Sequence, residues 1–147
     1  MRFGLLGQKN YRQRMKNNMK CLDSDIIIGF LRGKAESLNK MKELENESLA
    51  TTTINIFELQ YGAKISNRSK ENLDELKKII NNLNVFSFDY KASDEASSIF
   101  ADLKKMGKRI GIKDILIAGI CRSNKLDLIT KNVKHFENIK GLKIEGF

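Results

Sequence analysis

Three acids stand where apolar strands give way to helices or where a buried helix begins. Asp23 follows Cys21-Leu22, Glu58 lies one turn into the helix after Thr51-Thr52-Thr53, and Asp114 heads the apolar run Ile112 to Cys121. A carboxylate in such a setting is paired, bound to a metal or turned towards a wet cleft, because bare burial of a charge is costly. In an open α/β sheet the strand ends line one crevice, so these three can meet there. Carboxylates that converge raise one another's pKa unless a cation sits between them, and the hard ion suited to an oxygen-only cluster is Mg²⁺ or Mn²⁺. Each acid also has a plainer role: Asp23 as the N-cap of the helix starting at Ser24, Asp114 as a helix cap or dipole partner, Glu58 as a wet helix flank.

The elements that must position them follow from the hydrophobic pattern. Short apolar runs alternate with helical periodicity, which implies an α/β domain with a mainly parallel sheet. Strands are expected over 19–23, 48–53, 85–88, 126–130 and, at an edge, 142–145. Helices are expected over 24–31, closed by Gly33, and over 34–47 and 69–82, the last with Ser69 or Asn72 able to cap its start. Ile54, Phe57, Tyr61 and Ile65 mark one face of a further helix, with Glu58 on its flank; a place on this stripe assigns Tyr61 to the core rather than to base stacking. Ala92, Ala96, Ile99, Leu103 and Met106 mark another, which Gly107 ends. The segment 112–121 reads as a buried helix, and 131–138 as a loop with one helical turn.

The chain has 147 residues, 41% of them hydrophobic, enough for one domain with a real core. Its formal charge is +9, but five of its 27 basic residues, Arg2, Lys9, Arg12, Arg14 and Lys16, fall in an acid-free leader over 1–18. The remainder sets 22 basic against 18 acidic residues, so total charge alone says little about a polyanionic partner. The leader lacks the apolar centre of a secretory signal and reads as a basic tail or as sequence upstream of a true start at Met19. No apolar run reaches the length of a membrane span. Cys21 and Cys121 lack metal spacing and read as reduced core thiols of a cytoplasmic protein. His135, the only histidine, has no acidic or nucleophilic partner near it, which argues against a triad or a zinc site. There is no P-loop and no GxGxxG after a strand.

Four segments in order resemble the successive signatures of PIN domains, above all the toxin ribonucleases of VapBC toxin-antitoxin pairs. They are Leu22-Asp23-Ser24-Asp25-Ile26-Ile27-Ile28, Thr53 to Ala63, Gly111-Ile112-Lys113-Asp114-Ile115-Leu116-Ile117-Ala118 and Leu128-Ile129-Thr130-Lys131-Asn132. The resemblance covers 19–147 and implies a three-layer α/β/α sandwich with a mainly parallel five-stranded sheet. It implies a Mg²⁺- or Mn²⁺-dependent endoribonuclease in which Asp23, Glu58 and Asp114 match the metal-binding acids. A fourth catalytic position, frequently an acid, falls on Asn132, which leaves a neutral oxygen ligand and puts tight binding of a second ion in question. Ser24 and Thr130 match hydroxyl positions that orient ligands or water, and Asp25 reads as a first-turn helix residue. The implied partners are an RNA substrate, a small antitoxin lying beside the acids and a second copy of the chain. Lys108, Arg109, Lys113, Lys131 and Lys134 fall in the two loops flanking the acids and are candidates for phosphate contacts. Two other readings share these residues: a housekeeping PIN nuclease without an antitoxin, and a non-catalytic PIN module that binds RNA or protein.

Overall fold

A computed structural model describes residues 18–147. The leader expected over 1–18 lies outside the described residues, except Asn18, whose side-chain amide donates to Asp127 Oδ1 at 3.1 Å.

Strand β1, Lys20–Leu22, is the middle of a five-stranded sheet ordered β3-β2-β1-β4-β5, with β2 at Leu49–Thr52, β3 at Asn84–Phe86, β4 at Asp127–Ile129 and β5 at Ile144–Glu145. All four pairings are parallel, as the alternating pattern predicts. The chain first builds outward from β1 through β2 to β3, then returns to β1's other side for β4 and β5. That reversal opens a crevice beyond the carboxyl ends of β1 and β4.

Alternation along the strands feeds two cores. Cys21 and Leu128 point to one face, against Ala96, Ile99, Leu103, Ile117 and Phe136. Leu22 and Ile129 point to the other, against Ile26, Ile27, Met41, Leu59, Leu76 and Ile79. Helices α1 (Ser24–Leu31), α2 (Ala35–Glu43), α3 (Thr53–Lys64) and α4 (Ser69–Ile80) supply the second layer; α5 (Tyr90–Lys105) and α6 (Ile112–Ser123) supply the first. A short helix α7, Val133–Phe136, is the expected single turn. Helices α5 and α6 approach closely because Gly119 faces Ala92 and Ala96; a Cβ at Gly119 would stand 2.6 Å from that of Ala96. Both cysteines are free and buried, and hydrogen bonding of the Cys21 thiol to Cys121, followed by burial, pushes that thiol well up.

Four local expectations change. The strand expected over 48–53 stops at Thr52, because the Thr52 hydroxyl accepts from the Asn55 amide at 3.1 Å and caps α3 from Thr53. Helix α2 ends at Glu43, and a turn covers the rest of the expected span to Glu47. Neither Ser69 nor Asn72 caps α4; Asn72 donates instead to the Ser66 hydroxyl at 2.8 Å. The largest change is in α3. Phe57, Tyr61 and Ile65 are 63%, 59% and 67% exposed, while Asn55, Leu59 and Ala63 face inward, so the aromatic stripe is the outer face and Tyr61 is not core. Glycines at positive φ close α1 and α5 as expected, at Gly33 (φ 70°) and Gly107 (φ 69°).

Candidate active site

The register Leu22↔Ile129 places Asp23 beside Thr130 at the crevice, and the Asp23 amide donates to the Ile129 carbonyl at 3.0 Å. Asp23 is only 5% exposed. Its Oδ1 accepts from the Ser24 amide at 2.8 Å, so it does cap α1, and also from Asn55 Nδ2 at 2.8 Å. Its Oδ2 accepts from the Thr130 hydroxyl at 2.6 Å. These donors favour the charged form, yet burial and then the neighbouring charge of Asp25 outweigh them and push Asp23 up to about 6. The cap and the charged crevice are the same residue.

Two residues of this centre escape a reading of the sequence. Asp25 is more than a first-turn helix residue: its Oδ2 accepts from the Lys131 amide at 2.9 Å and lies 3.3 Å from the Thr130 hydroxyl. Its Oδ1 is buried without a partner among the described residues, and burial raises its pKa. Asn55 is fully buried; its amide nitrogen also reaches Ser24 Oγ at 3.0 Å, and its oxygen accepts from the Thr52 hydroxyl at 2.6 Å. The available signal was spacing: Asn55 stands three residues before Glu58 and so shares its side of α3.

Glu58 and Asp114 form the outer part of the site. Ser24 Oγ donates to Glu58 Oε1 at 3.3 Å, and Lys113 Nζ donates to Oε2 at 2.8 Å. Asp114 Oδ2 meets His135 Nδ1 at 2.9 Å, which corrects the expectation that His135 has no acidic neighbour; α7 folds back onto the head of α6. Asp114 adds to the field that raises Asp23, and the hydrogen bond that Lys113 donates to Glu58 is the main cause raising Lys113. Among the described residues no three carboxylates, histidines or thiols already stand at ion-holding separation. The donor set nevertheless suits a hard divalent cation, being carboxylate oxygens with surplus buried negative charge and one orphaned oxygen on Asp25.

The five candidate phosphate contacts divide. Lys113 is paired with Glu58, and Lys131 pairs with Glu36 and lies 5.3 Å over the Phe147 ring. Lys108 and Arg109 instead line a cavity of about 570 Å³ with Phe100, Lys104 and Ile115. Lys134 is exposed. Asn132 is also exposed, and its backbone amide donates to Thr130 Oγ1 at 3.0 Å, so the loop carrying it is tied to the Asp23 hydroxyl partner.

Asp23 thus lies at the sheet's switch point, with Glu58 on α3 and Asp114 in the first turn of α6. The family described as PIN domain matches residues 20–142, and the chain belongs to the PIN-domain family. Its similarity is to the VapC ribonucleases. It is 30% identical over 126 residues to the tRNA(fMet)-specific endonuclease VapC of Shigella flexneri, covering 86% of this chain and 96% of that one. It is 32% identical to the protein of the same name in Salmonella typhimurium, with the same coverage. The crystal structure of DNA-bound VapBC from Salmonella typhimurium superposes with a TM-score of 0.80 at 30% identity, over 88% of this chain and 98% of that one.

Proposed function

We propose that this chain is a divalent-metal-dependent endoribonuclease that acts as the toxin of a type II toxin-antitoxin pair. The observation that carries the reading is Asp23, a nearly buried carboxylate at the switch point, aligned by Ser24, Asn55 and Thr130 and kept near the charges of Asp25 and Asp114. Membership of the PIN-domain family and likeness to VapC ribonucleases support the reaction class.

Asp23, Glu58 and Asp114 would hold the ion, Mg²⁺ or Mn²⁺, with Asn132 offering a neutral oxygen beside them. When bound, the ion supplies a water nucleophile at neutral pH and charge stabilisation on the phosphodiester. The chain's own part is positional. Thr130 and Asn55 hold the two oxygens of Asp23, Ser24 links Asp23's end of α1 to Glu58, and His135 holds one oxygen of Asp114. Lys108 and Arg109, from the cavity beside α6, and Lys134, on α7 next to His135, offer cations to the RNA backbone. The products are a 5′-phosphate and a 3′-hydroxyl.

The exposed stripe Phe57, Tyr61 and Ile65 runs along the same helix as Glu58, and an apolar face of that kind supports a partner that covers it. A small antitoxin beside the acids fits that place, with the toxin a cytoplasmic homodimer whose PIN domain spans 19–147. Among the described residues no helix is long and apolar enough to cross a membrane.

The deciding experiment incubates the purified chain with initiator tRNA and with total RNA, with and without Mn²⁺. Cleavage that needs the ion and disappears in Asp23→Asn and Asp114→Asn, with both variants folded, supports the reading. Cleavage at wild-type rate in both variants sinks it.

A further inference from the structure

The chain's internal cations are distributed unevenly over its acids. Asp23, the innermost, is held only by neutral donors, the Ser24 amide, the Asn55 side chain and the Thr130 hydroxyl. Glu58, at the mouth, carries an ammonium: Lys113 Nζ stands 2.8 Å from its Oε2. This contact links α3 to the first turn of α6 across 55 positions of sequence, and Lys113 immediately precedes Asp114. The lysine side chain is 55% exposed and that of Glu58 26%, so the pair sits at the water's edge, where separating it costs little. Lysine is a point charge on a flexible stem, able to leave without breaking a bidentate clamp.

A dication that uses Glu58 must meet this ammonium within one ligand's reach. We infer that Lys113 is a tethered counter-cation: it neutralises Glu58 in the metal-free protein, competes with the divalent ion for that carboxylate, and swings out when the ion binds. The inference rests on the metal-site reading above. Lys113 thereby sets the ion concentration at which the enzyme is loaded, and its pairing with Glu58 offsets the repulsion among the acids until then.

The test is Mn²⁺ binding to the full chain, measured by calorimetry with no RNA present. Lys113→Met is expected to bind Mn²⁺ about three- to tenfold more tightly than wild type, because one competing and repelling charge is gone. Lys113→Arg, which keeps the cation, should bind no more tightly than wild type. In a Glu58→Gln background the gain from Lys113→Met should shrink. Equal or weaker binding by Lys113→Met overturns the inference, as does a gain that persists undiminished in Glu58→Gln. Asp23→Asn serves as the separate control: loss of Mn²⁺ binding leaves the metal site standing whatever Lys113 does, and binding at wild-type strength removes the site itself.

Discussion

The Thr130 hydroxyl donates to Asp23 Oδ2 at 2.6 Å and accepts from the backbone amide of Asn132 at 3.0 Å. One oxygen therefore fixes the inner carboxylate and the loop that follows β4. The arrangement depends on register: Leu22 pairs with Ile129, so the next residue on each strand comes out side by side.

Replacing Thr130 with Val keeps the shape and removes the hydroxyl, leaving Asp23 Oδ2 without its donor and the Asn132 amide without its acceptor. Stability should fall by about 1–3 kcal/mol, and Mn²⁺-dependent cleavage by about 10- to 100-fold, as for other residues that orient a metal ligand. Thr130→Ser should recover most of both. Urea unfolding and single-turnover cleavage check this; wild-type values for the valine variant would remove Thr130 from the site.

Asp23 also makes stability depend on pH in a definite direction. Its folded pKa of about 6 lies above the ordinary 3.8, so between those values the native state holds the extra proton. Stability from this group is therefore greatest below pH 3.8 and falls as pH rises through about 6, by about 3 kcal/mol in all. Asp25, also raised by burial, acts in the same sense. In EDTA, Asp23→Asn should be more stable than wild type at pH 7.5 by about 1–3 kcal/mol, and the difference should close as pH falls towards 4. A gap that widens on acidification would contradict the assignment.

Much of this site is legible in the sequence because strand ends and acids coincide there. Asp23, Glu58 and Asp114 share one signal, a charge inside an apolar pattern. Asn55 and Asp25 are hidden for opposite reasons. Asn55 is neutral, so nothing in its charge draws attention, and its burial depends on which face of α3 turns inward. Asp25 reads as ordinary first-turn decoration until β4 places Lys131 and Thr130 against it. Helix α3 misleads because both of its faces carry apolar residues: counting apolarity selects Ile54, Phe57, Tyr61 and Ile65, whereas packing selects Leu59 and Ala63. His135 meets Asp114 only through the fold of α7 onto α6.

The orientation of α3 has its own consequence. Leu59 is 7% exposed and packs with Leu22, Leu76 and Ile79, so Leu59→Ala should cost about 2–4 kcal/mol. Phe57→Ser and Tyr61→Ser, on the outer face, should each change stability by no more than about 0.5 kcal/mol. Thermal and urea unfolding of the three variants decide it; a large loss at Phe57 with none at Leu59 would mean that the helix is turned the other way.

The division among the basic residues predicts how RNA binding responds to salt. Lys131 already answers Glu36, so freeing it for a phosphate forfeits an existing pair. Lys108 and Arg109 line the cavity beside α6, and among the described residues neither has an acidic partner within ion-pair distance. Each phosphate contact contributes about 0.7 to the logarithmic salt slope on single-stranded RNA. In EDTA, which silences the proposed metal-dependent reaction, the double variant Lys108→Ala, Arg109→Ala should lower that slope by about 1.4, and Lys131→Ala by well under 0.7. Fluorescence anisotropy with a labelled single-stranded RNA over a KCl series measures both. Equal slopes for wild type and the double variant would take Lys108 and Arg109 out of the RNA path and return the phosphate contacts to the loop at Lys131.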